Sequence, residues 1–152
     1  KQLYIVMKLV IQRVKSASVV VKSQYSAKIN EGLMCYVGFC SSDSVVDYEW
    51  AINKLSKLKI FKNNKSLIDI NGELLIISQF TLFASLKKGS KPSFSRAANP
   101  NLAKNLYNDF LTLCNDKLNT TIIKTGVFGA NMLVESINDG PFTLYLDTQK
   151  RE

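Results

Sequence analysis

The sequence predicts an α+β domain in which curved or barrel-like antiparallel β-sheets carry two main helices. Three observations lead there. Strand-like segments rich in β-branched residues recur along most of the chain. Only two stretches have helical periodicity, and they lie far apart. No internal repeat, linker or low-complexity segment interrupts the pattern. The chain has 152 residues, the size of one ordinary domain. Residues 7–152 read as that single domain, with Met7 as a natural start and 1–6 as an upstream extension.

Taken in order, segments 8–14 and 16–21 read as strands, and Asn30-Glu31-Gly32 as a turn. The following run, Leu33-Met34-Cys35-Tyr36-Val37-Gly38-Phe39, is apolar throughout, as expected of a buried central strand. A helix is expected over 43–58, capped by Ser42 or Asp43, with acidic residues early and lysines late. Segment 59–61 begins another strand, 62–66 is a polar loop, and 74–82 is a strong strand. A loop over 85–98 contains Gly89 and Pro92. The clearest helix starts with Asn99 as cap and Pro100 in the first position, with Leu102, Leu106, Phe110 and Leu113 on one face. Strands follow at 120–124 and 132–137. A hairpin-like turn, Asn138-Asp139-Gly140-Pro141, leads into a last strand at 142–146.

Composition narrows the chemistry. Lys and Arg number 20 against 12 Asp and Glu, a net charge of +8 that favours polyanionic partners such as nucleic acid. The three cysteines, Cys35, Cys40 and Cys114, form no C-x-x-C pair; they suggest a reducing, cytoplasmic setting with neither disulfide framework nor zinc site. No apolar run approaches the length of a membrane span. There is no histidine, which excludes Ser-His and Cys-His catalysis and histidine-based metal sites. Neither a metal nor another cofactor is expected. The spacing Gly126-Val127-Phe128-Gly129 matches neither a P-loop nor a dinucleotide fingerprint.

Two short motifs, Ser78-Gln79-Phe80-Thr81-Leu82 and Asn138-Asp139-Gly140-Pro141-Phe142-Thr143, carry more information together than apart. Jointly they resemble the D-aminoacyl-tRNA deacylase family, with signatures S-Q-x-T-L and G-P-x-T. Ile11-Gln12-Arg13-Val14, the loop Gly89-x-x-Pro92-Ser93-Phe94 and Thr125-Gly126-x-Phe128-Gly129-Ala130-x-Met132 extend the likeness from residue 7 to 147. Departures are peripheral: a short loop around 63–71, Lys59 where many members have Arg, and a brief tail. The resemblance implies the family's fold and hydrolysis of the ester of D-aminoacyl-tRNA, a proofreading step in translation. It also implies a homodimer with the active sites at its interface, each site borrowing a cis Gly140-Pro141 from the other chain for chiral selection.

Within that reading, Ser78, Gln79, Phe80 and Thr81 are the catalytic segment and Arg13 supports the Gly140-Pro141 loop through its carbonyls. Phe128 and Met132 are candidates for the terminal adenosine pocket, and Lys87, Lys88 and Lys91 for tRNA phosphates. Adjacent carbonyl oxygens can hold the substrate α-ammonium while backbone atoms obstruct an L side chain, so chirality is read by exclusion. Achiral glycine partly escapes such a filter, which admits glycyl-tRNA mischarged on tRNA-Ala as a further substrate. Regular strand alternation would put Ser78 and Thr81 on opposite faces, so the strand must bend or the two differ in role. Thr81 is disfavoured as nucleophile because no histidine exists to activate it. Water, activated with the ribose 2′-hydroxyl, and backbone N–H donors near Phe80 and Thr81 fit better. The alternatives are a non-enzymatic nucleic-acid-binding module of the same fold and a deacylase correcting L- or achiral mischarging.

Overall fold

The computed structural model describes residues 6–40 and 48–151. Its spine is one long strand, β1 (Met7–Val21). Strands β2 (Tyr25–Ile29) and β3 (Gly32–Phe39) pair antiparallel with successive halves of β1. The final strand, β6 (Leu133–Asp147), pairs antiparallel along nearly the whole of β1. Beyond β3 the sheet continues through β4 (Glu73–Ser78) and β5 (Ile123–Thr125).

The α+β class and the curved sheet hold, but the sheet is mixed. The antiparallel expectation fits the partners of β1; the β3–β4 and β4–β5 pairs are parallel. Crossovers explain this, because parallel neighbours need a long connection that returns the chain to the same end. Helix α1 (Tyr48–Lys57) lies within the first connection and helix α2 (Pro100–Lys117) within the second. The start expected for α1, with Ser42 or Asp43 as cap, lies outside the described residues. Helix α2 begins as expected: Asn99 Oδ1 accepts from the Leu102 N–H at 2.9 Å, and Pro100 occupies the first turn.

Strand alternation divides the apolar residues between two cores. Leu9, Ile11, Leu33, Cys35, Leu74 and Ile76 face the helices, where Ile52, Leu55, Phe110 and Cys114 meet them. Met34, Leu75 and Ile77 face the other way and pack with Val14, Ala17, Val19 and Ile29 inside the curl. Gly32 permits this closeness: a Cβ there would lie 1.8 Å from the Glu73 carbonyl oxygen.

Four local expectations change. The segments 8–14 and 16–21 are one strand, because β6 supports both. Segment 59–61 forms no strand beyond a single Phe61–Lys65 bridge. Asp69 closes the polar loop instead. Its Oδ2 accepts from the Ser66 N–H and from Lys59 Nζ, each at 2.9 Å, and these bonds, Ser66 first, lower its carboxyl to about 2. The strand over 74–82 stops at Ser78, and 120–124 shortens to Ile123–Thr125.

The fourth change matters most. Asn138-Asp139-Gly140-Pro141 is not a hairpin, since the segments before and after it both pair antiparallel with β1. Gln12 faces Thr143 and Val14 faces Asn138, so a two-residue step on β1 is matched by a five-residue step on β6. The surplus stands out from the ladder as a large bulge.

Phe110 is fully buried between α2 and the sheet and stacks with Tyr48 at 5.9 Å. Replacing it with Ala should destabilise the domain by about 3–5 kcal/mol. Denaturant unfolding measures this; a loss below about 1 kcal/mol would contradict the packing described.

Candidate active site

The end of β4 shapes the candidate site. The Gln79 N–H donates to the Val37 carbonyl at 2.7 Å, a last tie between the segment and β3. The chain then tightens into a 3-10 helix over Phe80–Phe83, with Leu82 N–H donating to Gln79 and Ala84 N–H to Thr81. This resolves the alternation problem: Ser78 ends a strand, whereas Thr81 belongs to a helical turn. Gly38 lets the turn lie on β3, because a Cβ there would meet the Gln79 carbonyl oxygen at 2.6 Å.

A helix leaves its first N–H groups without internal partners. Here the Phe80 and Thr81 N–H groups donate to no described residue. Phe80, which Thr81 follows in the chain, lines a cavity of about 680 Å³ together with Ser78, Gln79, Phe94, Pro100 and Phe128, among others. The Phe80 and Phe94 rings meet edge-on at 5.1 Å, and Phe128 is backed by Tyr107 at 5.8 Å. The apolar walls suit a flat heteroaromatic group, and the Gln79 end supplies polar contacts.

Thr81 is exposed, and its Oγ1 accepts from Gln79 Nε2 at 2.5 Å. Among the described residues no carboxylate or amine bonds to this hydroxyl, so nothing stands ready to take its proton. Two thiols are also unsuited to attack. Burial raises both Cys35 and Cys114, the latter to about 12, which keeps them protonated at neutral pH.

The second motif forms a separate construction on the bulge of β6. The Gly140–Pro141 peptide bond is cis, and both residues are exposed. Arg13, on β1, grips the bulge from below. Its Nε donates to the Asp139 carbonyl at 2.9 Å and its Nη2 to the Gly140 carbonyl at 2.7 Å, while Nη1 reaches the Ile60 carbonyl at 2.6 Å. The Asp139 carboxylate lies 3.3 Å from Arg13 Nε, and the guanidinium is 4.8 Å from the centre of the Phe142 ring. Asn138 adds a tie to the Arg13 carbonyl, and Gln12 Nε2 donates to Thr143 Oγ1 at 3.1 Å. Asn138, Asp139 and Gln12 carried no role of their own in the sequence; the signal available was their place in the 138–143 motif and, for Gln12, in the Ile11–Val14 segment.

The structure does not gather all the expected residues. Ser78, Gln79, Phe80 and Phe128 share the cavity, and Thr81 adjoins it. Met132 is not on its wall; it packs with Val14, Met34 and Ile77 in the second core. Gly140 and Pro141 do not line the cavity of their own chain. Lys87, Lys88 and Lys91 are exposed on a loop closed at its base by paired hydrogen bonds between Ser85 and Ser93. Among the described residues no three potential ligands of the His, Cys, Asp and Glu types group as a metal site, and no helix is long and apolar enough to cross a membrane.

Known proteins resemble this chain in sequence and in fold. The family model described as D-Tyr-tRNA(Tyr) deacylase matches residues 10–147. A D-aminoacyl-tRNA deacylase of Cytophaga hutchinsonii is 48% identical over 148 residues, covering 94% of this chain and 98% of that protein. Among solved structures, a c-Myc DNA unwinding element binding protein superposes with a TM-score of 0.82 at 36% identity, covering 91% of this chain and 97% of that one. A probable eukaryotic D-amino acid tRNA deacylase shares the fold, with a TM-score of 0.81 at 18% identity over 93% of this chain and 99% of that one. With the match spanning nearly the full length and including both motifs, the chain belongs to the D-Tyr-tRNA(Tyr) deacylase family.

Proposed function

We propose that this protein hydrolyses the ester of D-aminoacyl-tRNA, releasing the D-amino acid and tRNA as a proofreading step in the cytoplasm. The observation that carries this reading is that the N–H groups of Phe80, on the wall of an aromatic cavity, and of the next residue, Thr81, have no partner among the described residues. The terminal adenosine occupies the cavity against Phe128 and Phe94. Its ester carbonyl points at the two N–H groups, which stabilise the oxyanion as water attacks. Gln79 and Ser78 position the ester, and the neighbouring 2′-hydroxyl orients the water. The carbonyl–oxygen bond then breaks, and the proton from water goes to the leaving ribose oxygen. Lys87, Lys88 and Lys91 serve as phosphate contacts for the acceptor stem.

Chiral selection falls to Gly140 and Pro141 in a homodimer. Their position supports this, because they stand in the exposed bulge of β6 and lie off their own chain's cavity. Among the described residues the outer edge of β6 has no strand partner, and Leu133 and Ile137 on β6 are exposed, a surface suited to a second copy. The partner copy's bulge closes the cavity, its carbonyls hold the α-ammonium, and its backbone obstructs L side chains. Glycyl-tRNA mischarged on tRNA-Ala passes the same filter.

A second reading, a nucleic-acid-binding module without hydrolytic activity, is favoured by the likeness to the c-Myc DNA unwinding element binding protein and the +8 charge. Assay of D-tyrosyl-tRNA decides between them: rapid release of D-tyrosine is expected, and tRNA binding without release would favour the second reading.

Three variants test the mechanism. Proline is tolerated in a first helical turn and the preceding Gln79 already lies outside the α region (φ −147°, ψ 87°), so Phe80→Pro should fold while losing one N–H donor. Its single-turnover rate should fall about 10²–10³-fold below that of Phe80→Ala; equal rates would remove that N–H from the mechanism. Thr81→Ala should keep measurable hydrolysis, within about 10²-fold of wild type, because the donors are backbone groups. A folded, substrate-binding Thr81→Ala protein with no activity would instead make the hydroxyl the nucleophile. Finally, Arg13→Ala should inactivate by releasing the bulge, yet mixed dimers with Phe80→Pro should regain activity, since one composite site is then intact. No recovery in verified mixed dimers would mean each chain completes its own site.

A further inference from the structure

A second cavity, also about 680 Å³, lies next to the first, and Ser95 lines both. Its chemistry is different. Lys8 from β1, Arg96 from the loop before α2 and Lys150 from the C-terminal segment converge on it, and among the described residues that line it Asp147 is the one carboxylate. Three cations and one anion leave a local excess of two positive charges. Neither Arg96 nor Lys150 pairs with a carboxylate of a described residue, and the Lys8 ammonium rests 4.6 Å from the centre of the Phe83 ring. Asp147 is partly engaged already, its Oδ1 accepting from the Gln149 N–H at 2.8 Å. The Tyr145 hydroxyl adds a polar group. Burial, then Asp147 beside it, raises this phenol, while nearby Arg96 opposes the shift. Such a cleft suits an anion that is hydrogen-bonded from several sides but not carried by this chain.

The proposed function supplies that anion. With the terminal adenosine in the aromatic cavity, the strand must continue from its 5′ oxygen into a phosphodiester. Ser95 marks where one cavity gives way to the other. The loop lysines 87, 88 and 91 do not line this cleft, so its charge is an independent feature.

Resting on the deacylase reading, we infer that the Lys8–Arg96–Lys150 cleft binds the phosphodiester joining the terminal adenosine to the nucleotide before it. The cleft thereby orients the 3′ end so that the ester enters beside Phe80. It is a binding and positioning element for tRNA and takes no part in the bond-breaking step.

The test compares two substrates across one double variant, Arg96→Ala with Lys150→Ala. D-tyrosyl-tRNA has the phosphodiester, whereas 3′-O-(D-tyrosyl)adenosine lacks it. The variant should lose about tenfold or more in kcat/KM on the tRNA, mainly through KM, and keep wild-type activity on the adenosine ester. The slope of log affinity for uncharged tRNA against log salt should become shallower by about 1. Arg96→Lys with Lys150→Arg, which keeps both charges, should restore most of the loss. Equal losses on both substrates, or no loss on either, overturn the inference. A wild-type protein that hydrolyses neither ester would instead defeat the deacylase reading on which it rests.

Discussion

Arg13 is the joint on which the bulge carrying Gly140 and Pro141 depends. A guanidinium presents donors in a fixed planar fork, so it can hold several carbonyls in one geometry. Here it spans the carbonyls of Ile60, Asp139 and Gly140 while its face lies against Phe142. Two stretches of chain distant in sequence, one at Ile60 and one at 139–142, are thereby fixed to one side chain on β1. Lysine could place a charge there, but not the same set of directions.

The support beneath Arg13 is β1 itself. Paired along both edges and lined with buried Leu9, Ile11, Val14, Ala17 and Val19, it cannot shift register without turning its apolar face to solvent. Parallel pairing of β3 with β4 then carries the chain to Ser78 in step with Val37, and the last tie from Gln79 sets where the 3-10 turn begins. Backbone N–H groups are thus aimed by sheet register and turn geometry, which hold them more firmly than a side-chain rotamer would.

Much of this was legible in the residues. Asn99-Pro100 announced α2 because a capping side chain and a proline have local, sequence-readable reasons to sit there. The apolar run through β3 announced a strand covered on both faces. The two motifs pointed to the segments that carry the candidate chemistry. What was not legible depends on distant partners. Nothing local distinguishes a turn that reverses the chain from a bulge whose flanks rejoin the same strand, and Asn138-Asp139-Gly140-Pro141 has the composition of either. Met132 shares a motif with Phe128, yet the path of the chain into β6 packs it against the core within the curl. The direction of β4 and β5 followed from where the helical connections returned, which strand composition does not encode.

The bulge of β6 has one further consequence. Both of its feet stand on the same strand, at Gln12 and Val14, so it behaves as an arch of fixed span whose height depends on the number of residues between them. Substitutions along the crown change its texture but not its reach. An insertion or deletion between Asn138 and Thr143 changes the reach itself while leaving the footings in place. Length in this short interval therefore sets how far the crown stands off the sheet, independently of which side chains it carries.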